Sequence, residues 1–125
     1  MFGLNSKPKE KNILQKRKEL RKLVKKKQHD DALKLGLEIL QKDPYEQNVL
    51  FIVGGIYYMK NQYQTAMPYF EKALDIGAYD VEVLTLKANS HYFLGEPKKA
   101  LACCDKIKEI DPKNKAVAEL LSKIK

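Results

Sequence analysis

Apolar residues recur at three- and four-residue steps through most of the chain, which is the spacing of one face of an α-helix. The pattern is clear in the segments LFIVGGIYYMKNQ, YQTAMPYFEKALDI, VEVLTLKANSHYFLG and KKALACCDKIKEI. No segment alternates apolar and polar residues as a half-buried β-strand does. The sequence therefore predicts an all-α protein.

Short polar segments with Pro, Gly or Asn separate the apolar stretches and predict where helices end. Pro cannot continue a preceding helix, and Asn61 and Gly95 suit the left-handed conformation at a helix C-terminus. The breaks QKDPYE, GAYD and EIDPKN alternate with the breaks KKQHD, KNQ and LGEP. We predict about seven helices. They span residues 13–26, 29–42, 47–60, 63–76, 81–94 and 97–110, and the last runs from residue 115 to the end.

The helical pattern repeats with a period of 34 residues. Equivalent positions are occupied by Ala32, Ala66 and Ala100, and by Leu20, Gly54 and Ala88. A fixed period of this length is typical of helical repeat arrays. Small residues on a buried helix face also predict that a second helix backbone comes very close. We expect Gly54 to face Ala66, and Ala88 to face Ala100.

The second period resembles the tetratricopeptide repeat. The family pattern W-x2-L-G-x2-Y, followed by A-x3-F and a later Ala, is carried by seven residues. These are Leu50, Val53, Gly54, Tyr57, Ala66, Phe70 and Ala73. The third period matches in part, and the first matches least. The resemblance spans about residues 13–112 and implies a right-handed α-solenoid of antiparallel helix pairs.

This resemblance implies a division of the chain into five parts. We expect a basic N-terminal arm at 1–12, three repeats at 13–46, 47–80 and 81–114, and a capping helix at 115–125. A terminal helix in such an array needs one polar face because nothing covers it.

The net charge of +8 is concentrated at the N-terminal end. Residues 1–27 contain 11 Lys or Arg and 2 acidic residues, whereas residues 28–125 contain 13 and 14. Clustered cations on a helix could bind phosphates, but no aromatic residue is interleaved with them. We interpret this segment as the first repeat helix with a basic exposed face. That face either is merely solvated or binds an anionic partner, and nucleic acid is not the expected partner.

No pattern that supports catalysis or metal binding occurs in the sequence. His29 and His91 lie in different repeats, and we interpret His91 as a structural residue. Cys103 and Cys104 are adjacent, which gives neither a disulfide framework nor a metal-ligand pair. We expect Cys104 to be buried and Cys103 to be half exposed. We therefore expect no enzymatic activity, no cofactor and no metal.

The sequence contains neither an apolar run long enough to span a membrane nor one typical of a signal peptide. Adjacent cysteines without a disulfide framework are typical of a reducing compartment. We therefore predict a cytoplasmic protein with no membrane span.

The resemblance also implies that the first helix of each pair lines a concave groove. The predicted partner-binding residues there are Arg17, Arg21, Lys25, Asn48, Phe51, Tyr58, Met59, Thr85, Asn89, Tyr92 and Phe93. The aromatic members are not required by the packing pattern within a repeat, and an exposed aromatic patch normally marks a recognition surface. In the alternative hypothesis, the last helix covers these aromatic residues and they belong to the core.

We expect a protein or peptide partner with apolar anchors and some acidic residues, with homo-oligomerisation as an open alternative. The carboxylate clamp of the family needs Lys and Asn in the first repeat, Asn in the second and two cations in the third. This chain has Arg17 and Arg21, then Ile52, then Glu82 and Leu86. A ligand with a C-terminal EEVD motif is therefore not expected.

Two alternatives to a general scaffold stay open. The middle repeat resembles that of the class II chaperones of type III secretion, although those are usually acidic. The basic N-terminal helix could instead bind nucleic acid or another anionic surface.

Overall fold

The structure is a computed structural model that describes residues 6–124, with the side chains described from residue 12 onwards. Over these residues it contains seven α-helices and no β-strand. They are α1 (Ser6–Lys25), α2 (His29–Lys42), α3 (Gln47–Met59), α4 (Tyr63–Ile76), α5 (Val81–Phe93), α6 (Pro97–Ile110) and α7 (Lys115–Ile124). The predicted all-α class is confirmed. No helix in this described part of the chain is both long and apolar enough to cross a membrane.

The start of the first helix differs from the prediction. α1 begins at Ser6 rather than near residue 13, so part of the predicted arm is helical. Residues 6–12 carry no apolar periodicity, but Lys and Glu are good helix formers in themselves. The other helix bounds agree with the prediction to within about one residue. The division of the chain into an arm, three repeats and a cap stays a prediction.

The chain divides into two compact units, Met1–Pro44 and Tyr45–Lys125. In the first unit, α1 and α2 pack on each other and bury Leu20, Ala32 and Ile39. Two ion pairs join the middle of α1 to the end of α2. Lys16 Nζ lies 3.2 Å from Glu38 Oε2, and Arg17 donates to Asp43 Oδ2 at 2.9 Å.

The second unit contains two helix pairs and a covering helix. α3 packs against α4, α5 packs against α6, and α4 also packs against α5. α7 packs on α5 and α6 through its buried Val117 and Leu120. The largest fully buried side chains of this unit include Phe70, Leu50, Ile107, Val53 and Val83.

Gly54 gives the closest approach between α3 and α4. A Cβ atom at this position would lie 2.7 Å from Phe70 Cε1 and 3.2 Å from Tyr69 Cβ, which is too close for any other residue type without movement. The atoms nearest to such a Cβ belong to Phe70 and Tyr69, and the expected contact of Gly54 with Ala66 stays a prediction. Ala66 is itself fully buried.

A residue in the left-handed backbone region makes the turn within each helix pair. These residues are Lys27 (φ 58°), Asn61 (φ 62°) and Gly95 (φ 74°), and they are 34 residues apart. The next backbone N–H then bonds back to the helix it has just left. These bonds run from Gln28 to Leu23, from Gln62 to Tyr57 and from Glu96 to His91, at 2.8–2.9 Å. The predictions for Asn61 and Gly95 are confirmed, whereas Lys27 is an unusual residue for this conformation.

The α5/α6 pair buries two cysteines and a histidine. Cys104 is fully buried, as predicted, but Cys103 is only 8% exposed, so the expectation of a half-exposed thiol is wrong. Burial raises the pKa of both thiols. His91 is also buried, and its Nδ1 lies 3.0 Å from Glu96 Oε1. His91 thus has the hydrogen-bond partner that a structural histidine requires.

Candidate protein-interaction surface

Four aromatic rings from three helices lie side by side in the second unit. Tyr58 is near the end of α3, Tyr63 begins α4, and Tyr92 and Phe93 end α5. The ring centroids are 5.4 Å apart for Tyr58 and Tyr63, 4.8 Å for Tyr63 and Phe93, and 5.4 Å for Tyr92 and Phe93. Tyr63 and Phe93 are stacked, and the other two pairs meet edge-on. We call these four residues the aromatic cluster.

The repeat architecture explains why these rings meet. The tight turn at Asn61 brings the start of α4 beside the end of α3. Tyr58 and Tyr92 are equivalent residues of successive repeats, so the ends of α3 and α5 present their rings at corresponding positions. Tyr63 therefore lies where it can contact both helix ends, with Tyr58 on one side and Phe93 on the other.

Polar groups hold two of the rings in place. The Tyr63 hydroxyl donates to Asn61 Oδ1 at 2.9 Å, and the Asn89 side chain lies close enough to the Tyr58 hydroxyl to lower its pKa. Burial raises the pKa of Tyr58, and Asn89 opposes that rise. The rings thus have fixed orientations and keep polar tips, a combination that favours specific contacts with a partner.

The cluster leaves a substantial apolar area in contact with solvent. Phe93 is 51% exposed and the neighbouring Met59 is 56% exposed, whereas Tyr58, Tyr63 and Tyr92 are half-buried. Exposed residues of this size in one place are typical of an interaction surface rather than of a core.

The alternative hypothesis, in which α7 covers the aromatic residues, applies to Tyr92 alone among the four rings of the cluster. Tyr92 packs against the buried cluster of α5, α6 and α7, to which Leu121 and Ile124 of α7 also contribute. Phe93, its neighbour, stays half exposed. Tyr92 therefore has a structural role in addition to any role in binding.

Eight of the predicted binding residues lie in the second unit, and none of them is buried. They are Asn48, Phe51, Tyr58, Met59, Thr85, Asn89, Tyr92 and Phe93. The structure brings Tyr58, Asn89, Tyr92 and Phe93 together around Tyr63. Thr85 Oγ1 instead donates to the Val81 carbonyl of its own helix at 2.7 Å.

Tyr63 is the one member of the cluster that the sequence analysis missed. The prediction considered only the first helix of each pair, and Tyr63 begins a second helix. Its place directly after the left-handed turn, next to the aromatic end of α3, is the signal that could have identified it.

The three predicted cations lie on α1 in the first unit. Arg17 is half-buried and paired with Asp43, so it contributes to the packing of its own helix pair. Arg21 and Lys25 are exposed. Their membership of a common groove with the aromatic residues stays a prediction. Among the residues that the structure describes, no group of three or more His, Cys, Asp or Glu could hold a metal ion.

The repeated helix pairs define a helical repeat protein, and a family model agrees. The model described as tetratricopeptide repeat matches residues 57–124, which is more than half of the chain. The chain therefore belongs to the tetratricopeptide repeat family. No curated protein matches it.

Solved structures of tetratricopeptide domains share the fold. The first such domain of Spaghetti (RPAP3), bound to the HSP90 peptide SRMEEVD, has a TM-score of 0.81 at 17% identity, covering 90% of this chain and 89% of that one. The Arabidopsis OM64 domain has a TM-score of 0.82 at 16% identity, covering 92% and 95%.

A bacterial chaperone shows the same likeness. The Yersinia enterocolitica type III secretion chaperone SycD, in complex with a peptide of the translocator YopD, has a TM-score of 0.74 at 15% identity, covering 91% of this chain and 87% of that one. At these identities the likeness shows the fold alone, and the predicted α-solenoid of helix pairs is confirmed.

Proposed function

We propose that this protein is a non-enzymatic interaction module that binds a peptide or helix of a partner protein through the aromatic cluster and Met59. The observation that carries the proposal is the row of four rings joined by three ring contacts, which includes Phe93 at 51% exposure. Aromatic anchors contribute much of the energy at protein interfaces, and rings held in place lose little entropy on binding. The partner segment should therefore present apolar side chains to this surface.

The solved relatives support peptide binding as a use of this fold. One of them is bound to an HSP90 peptide and another to a YopD peptide. The residues of a carboxylate clamp are not matched in this chain, and the candidate surface is aromatic. We therefore propose recognition of apolar anchors rather than of a terminal carboxylate.

The proposal can be tested by peptide selection on the full chain. A displayed peptide library is selected on the wild-type protein, and affinities of the selected peptides are then measured by fluorescence anisotropy. Met59→Ala with Phe93→Ala should weaken binding at least about tenfold. Tyr45→Ala is the matched control, because Tyr45 is 64% exposed and lies outside the cluster. Selected peptides that bind the double variant as tightly as the wild type would refute the proposal.

A second candidate function rests on α1. Lys18, Arg21, Lys22 and Lys25 are exposed on this helix, and for none of them does the described part of the chain provide an ion-pair partner. An anionic partner, nucleic acid included, could bind there. The affinity of such a complex would fall steeply and linearly in log salt, whereas binding at the aromatic cluster should depend little on salt.

The type III secretion chaperone hypothesis stays a prediction, and SycD supports it only through its shared fold. A test is whether selected peptides match segments of translocator proteins. The cytoplasmic location also stays a prediction, with which the two free cysteines agree.

A further inference from the structure

A cleft of about 460 Å³ lies between α4 and α6, with α5 as its floor. A second cavity of about 310 Å³ adjoins it and shares Glu71, Lys87 and Cys103 with it. We call the two together the α4–α6 cleft. It has no residue in common with the aromatic cluster, so it is not part of the proposed peptide site.

The residue types of the third repeat explain the smaller cavity. In the second repeat, Tyr57 and Tyr69 stack with their centroids 5.7 Å apart. The equivalent residues 34 positions later are His91 and Cys103, which are smaller, and both line the cavity. The space that two tyrosine rings fill in one pair is thus partly empty in the next.

The two walls of the cleft carry opposite charges. Glu71 and Asp75 of α4 line one side, Lys106 of α6 lines the other, and Lys87 of α5 lies on the floor between them. Among the residues that the structure describes, neither acid makes an ion pair with any cation. The opposed charges are therefore too far apart to pair within one molecule, and both walls remain available for a partner with complementary charges.

Small and exposed apolar side chains accompany these charges. Ala78 and Ala102 line the cleft and would permit close approach of another surface. Tyr79, next to Ala78, is 71% exposed, and its ring centroid lies 5.7 Å from Lys106 Nζ. Ile76 is 43% exposed on the same turn. These side chains offer the apolar area that charges alone do not provide.

We propose that the α4–α6 cleft is the interface of a symmetric dimer of this protein. A two-fold axis along the cleft places α4 of one copy opposite α6 of the other on both sides of the axis. Asp75 and Glu71 of each copy then face Lys106 of its partner, so the surface is self-complementary, as a two-fold interface must be. Charge complementarity therefore favours a second copy over an unrelated partner.

The dimer should be weak and should dissociate on dilution. Exposed ion pairs contribute little each, and the cleft is shallow. We expect analytical ultracentrifugation of the full chain to show a shift from monomer to dimer between about 5 and about 500 μM. A protein that stays monomeric over this range overturns the proposal.

Charge reversal tests the symmetry directly. Asp75→Lys gives a homodimer with facing cations, and Lys106→Glu gives one with facing acids, so each variant alone should dimerise at least about tenfold more weakly than the wild type. An equimolar mixture should recover dimerisation, because positions 75 and 106 that face each other in the mixed dimer again carry opposite charges. Lys72→Glu is the matched control, since Lys72 lies on α4 but does not line the cleft. Failure of the mixture to associate overturns the proposal.

Cys103 provides a second measurement at the same place. Cys103 lines the cleft and keeps 8% exposure, whereas Cys104 is fully buried. The rate of Cys103 alkylation, followed by mass spectrometry, should fall as the protein concentration rises through the dimerisation range. A dimer that forms without slowing this alkylation uses another surface and overturns the assignment. Phe93→Ala should leave dimerisation unchanged, so this test and that of peptide binding can fail independently.

Discussion

The α3/α4 and α5/α6 helix pairs have equivalent positions. Different residue types nevertheless make the close contact between the two helices of each pair. In α3/α4 the close contact is made by Gly54 and Phe70, where a Cβ at Gly54 would lie 2.7 Å from the ring. The equivalent residues in α5/α6 are Ala88 and Cys104, both buried. One pair combines the smallest residue with a large ring, and the other combines two small residues. The same repeat positions thus accept different residue types at this contact, provided that the two facing residues fit together without overlap.

A second contact shows the same contrast with a different outcome. Tyr57 and Tyr69 stack in the first of these pairs, whereas His91 and Cys103 replace them in the second. His91 then finds a partner in Glu96. The residue types of the third repeat thus replace the aromatic contact of the second repeat with a polar one, and they leave a cavity. At this contact, the third repeat therefore departs from the aromatic packing of the second.

Phe70→Ala should have the largest effect on stability. Removing a fully buried ring leaves a cavity, and we expect a loss of about 3–5 kcal/mol in the free energy of unfolding. Cys104→Ala at the equivalent position should cost only about 1 kcal/mol, because it removes a single heavy atom. Urea denaturation followed by circular dichroism measures both. Equal losses of stability for Phe70→Ala and Cys104→Ala would show that the two side chains do not fill their contacts as described.

Gly54→Ala should destabilise by about 1–3 kcal/mol, because the added methyl group meets the Phe70 ring. In a Phe70→Ala background the clash with the ring disappears and only the close contact with Tyr69 Cβ is left, so the same change should cost less or should stabilise by up to about 1 kcal/mol through helix propensity. Ala88→Gly, the reverse change in the other pair, should cost about 1 kcal/mol. The prediction fails if the effect of Gly54→Ala is the same in both backgrounds, as measured by a double-mutant cycle.

Transferring the aromatic contact tests the second contrast. His91→Tyr combined with Cys103→Tyr should form a ring stack like that of Tyr57 and Tyr69, with a gain of about 0.5–1.5 kcal/mol. The thermal midpoint of unfolding should rise, and the double variant should gain more than the sum of the single variants. If the double variant gains no more stability than the sum of the single variants, the cavity between α4 and α6 cannot hold the rings.

The smallest expected effect concerns acid stability. The hydrogen bond with His91 holds the pKa of Glu96 below its ordinary value of 4.5. This carboxylate therefore contributes stability above about pH 4.5, which is lost as the pH falls through the lower folded-state pKa. Gln62 is the equivalent residue of the preceding repeat and cannot titrate.

Glu96→Gln should accordingly reduce the fall in Tm between about pH 5 and about pH 3. Glu82→Gln is the control, because Glu82 is exposed and makes no ion pair within the described residues. A Tm profile for Glu96→Gln that parallels the wild type would contradict the role assigned to the bond with His91.

The sequence predicted the fold well because local signals and the repeat agree. Pro and Gly mark the helix ends, and the period of 34 residues aligns the helices with one another. The partner of Gly54 could not be predicted in the same way. A repeat pattern identifies which positions are small, but the side chain that fills the space depends on where the neighbouring helix directs its rings.

The candidate site was predicted only in part for a related reason. Tyr58, Asn89, Tyr92 and Phe93 follow from the family's groove positions, and the structure places them together. Tyr63 does not follow from the groove positions, because its contact with Phe93 depends on the geometry of a turn and on the packing of successive repeats. The engagement of Arg17 by Asp43 likewise depends on the angle between two helices.

The distribution of aromatic residues has a spectroscopic consequence. All seven tyrosines lie between Tyr45 and Tyr92, and the chain has no tryptophan. Intrinsic fluorescence therefore reports on the second unit alone, whereas far-ultraviolet circular dichroism reports on the helices of both units. The unlabelled protein thus provides two probes of unfolding, tyrosine fluorescence and circular dichroism. The difference between the two melting curves measures how strongly the unfolding of α1 and α2 is coupled to that of the rest of the chain.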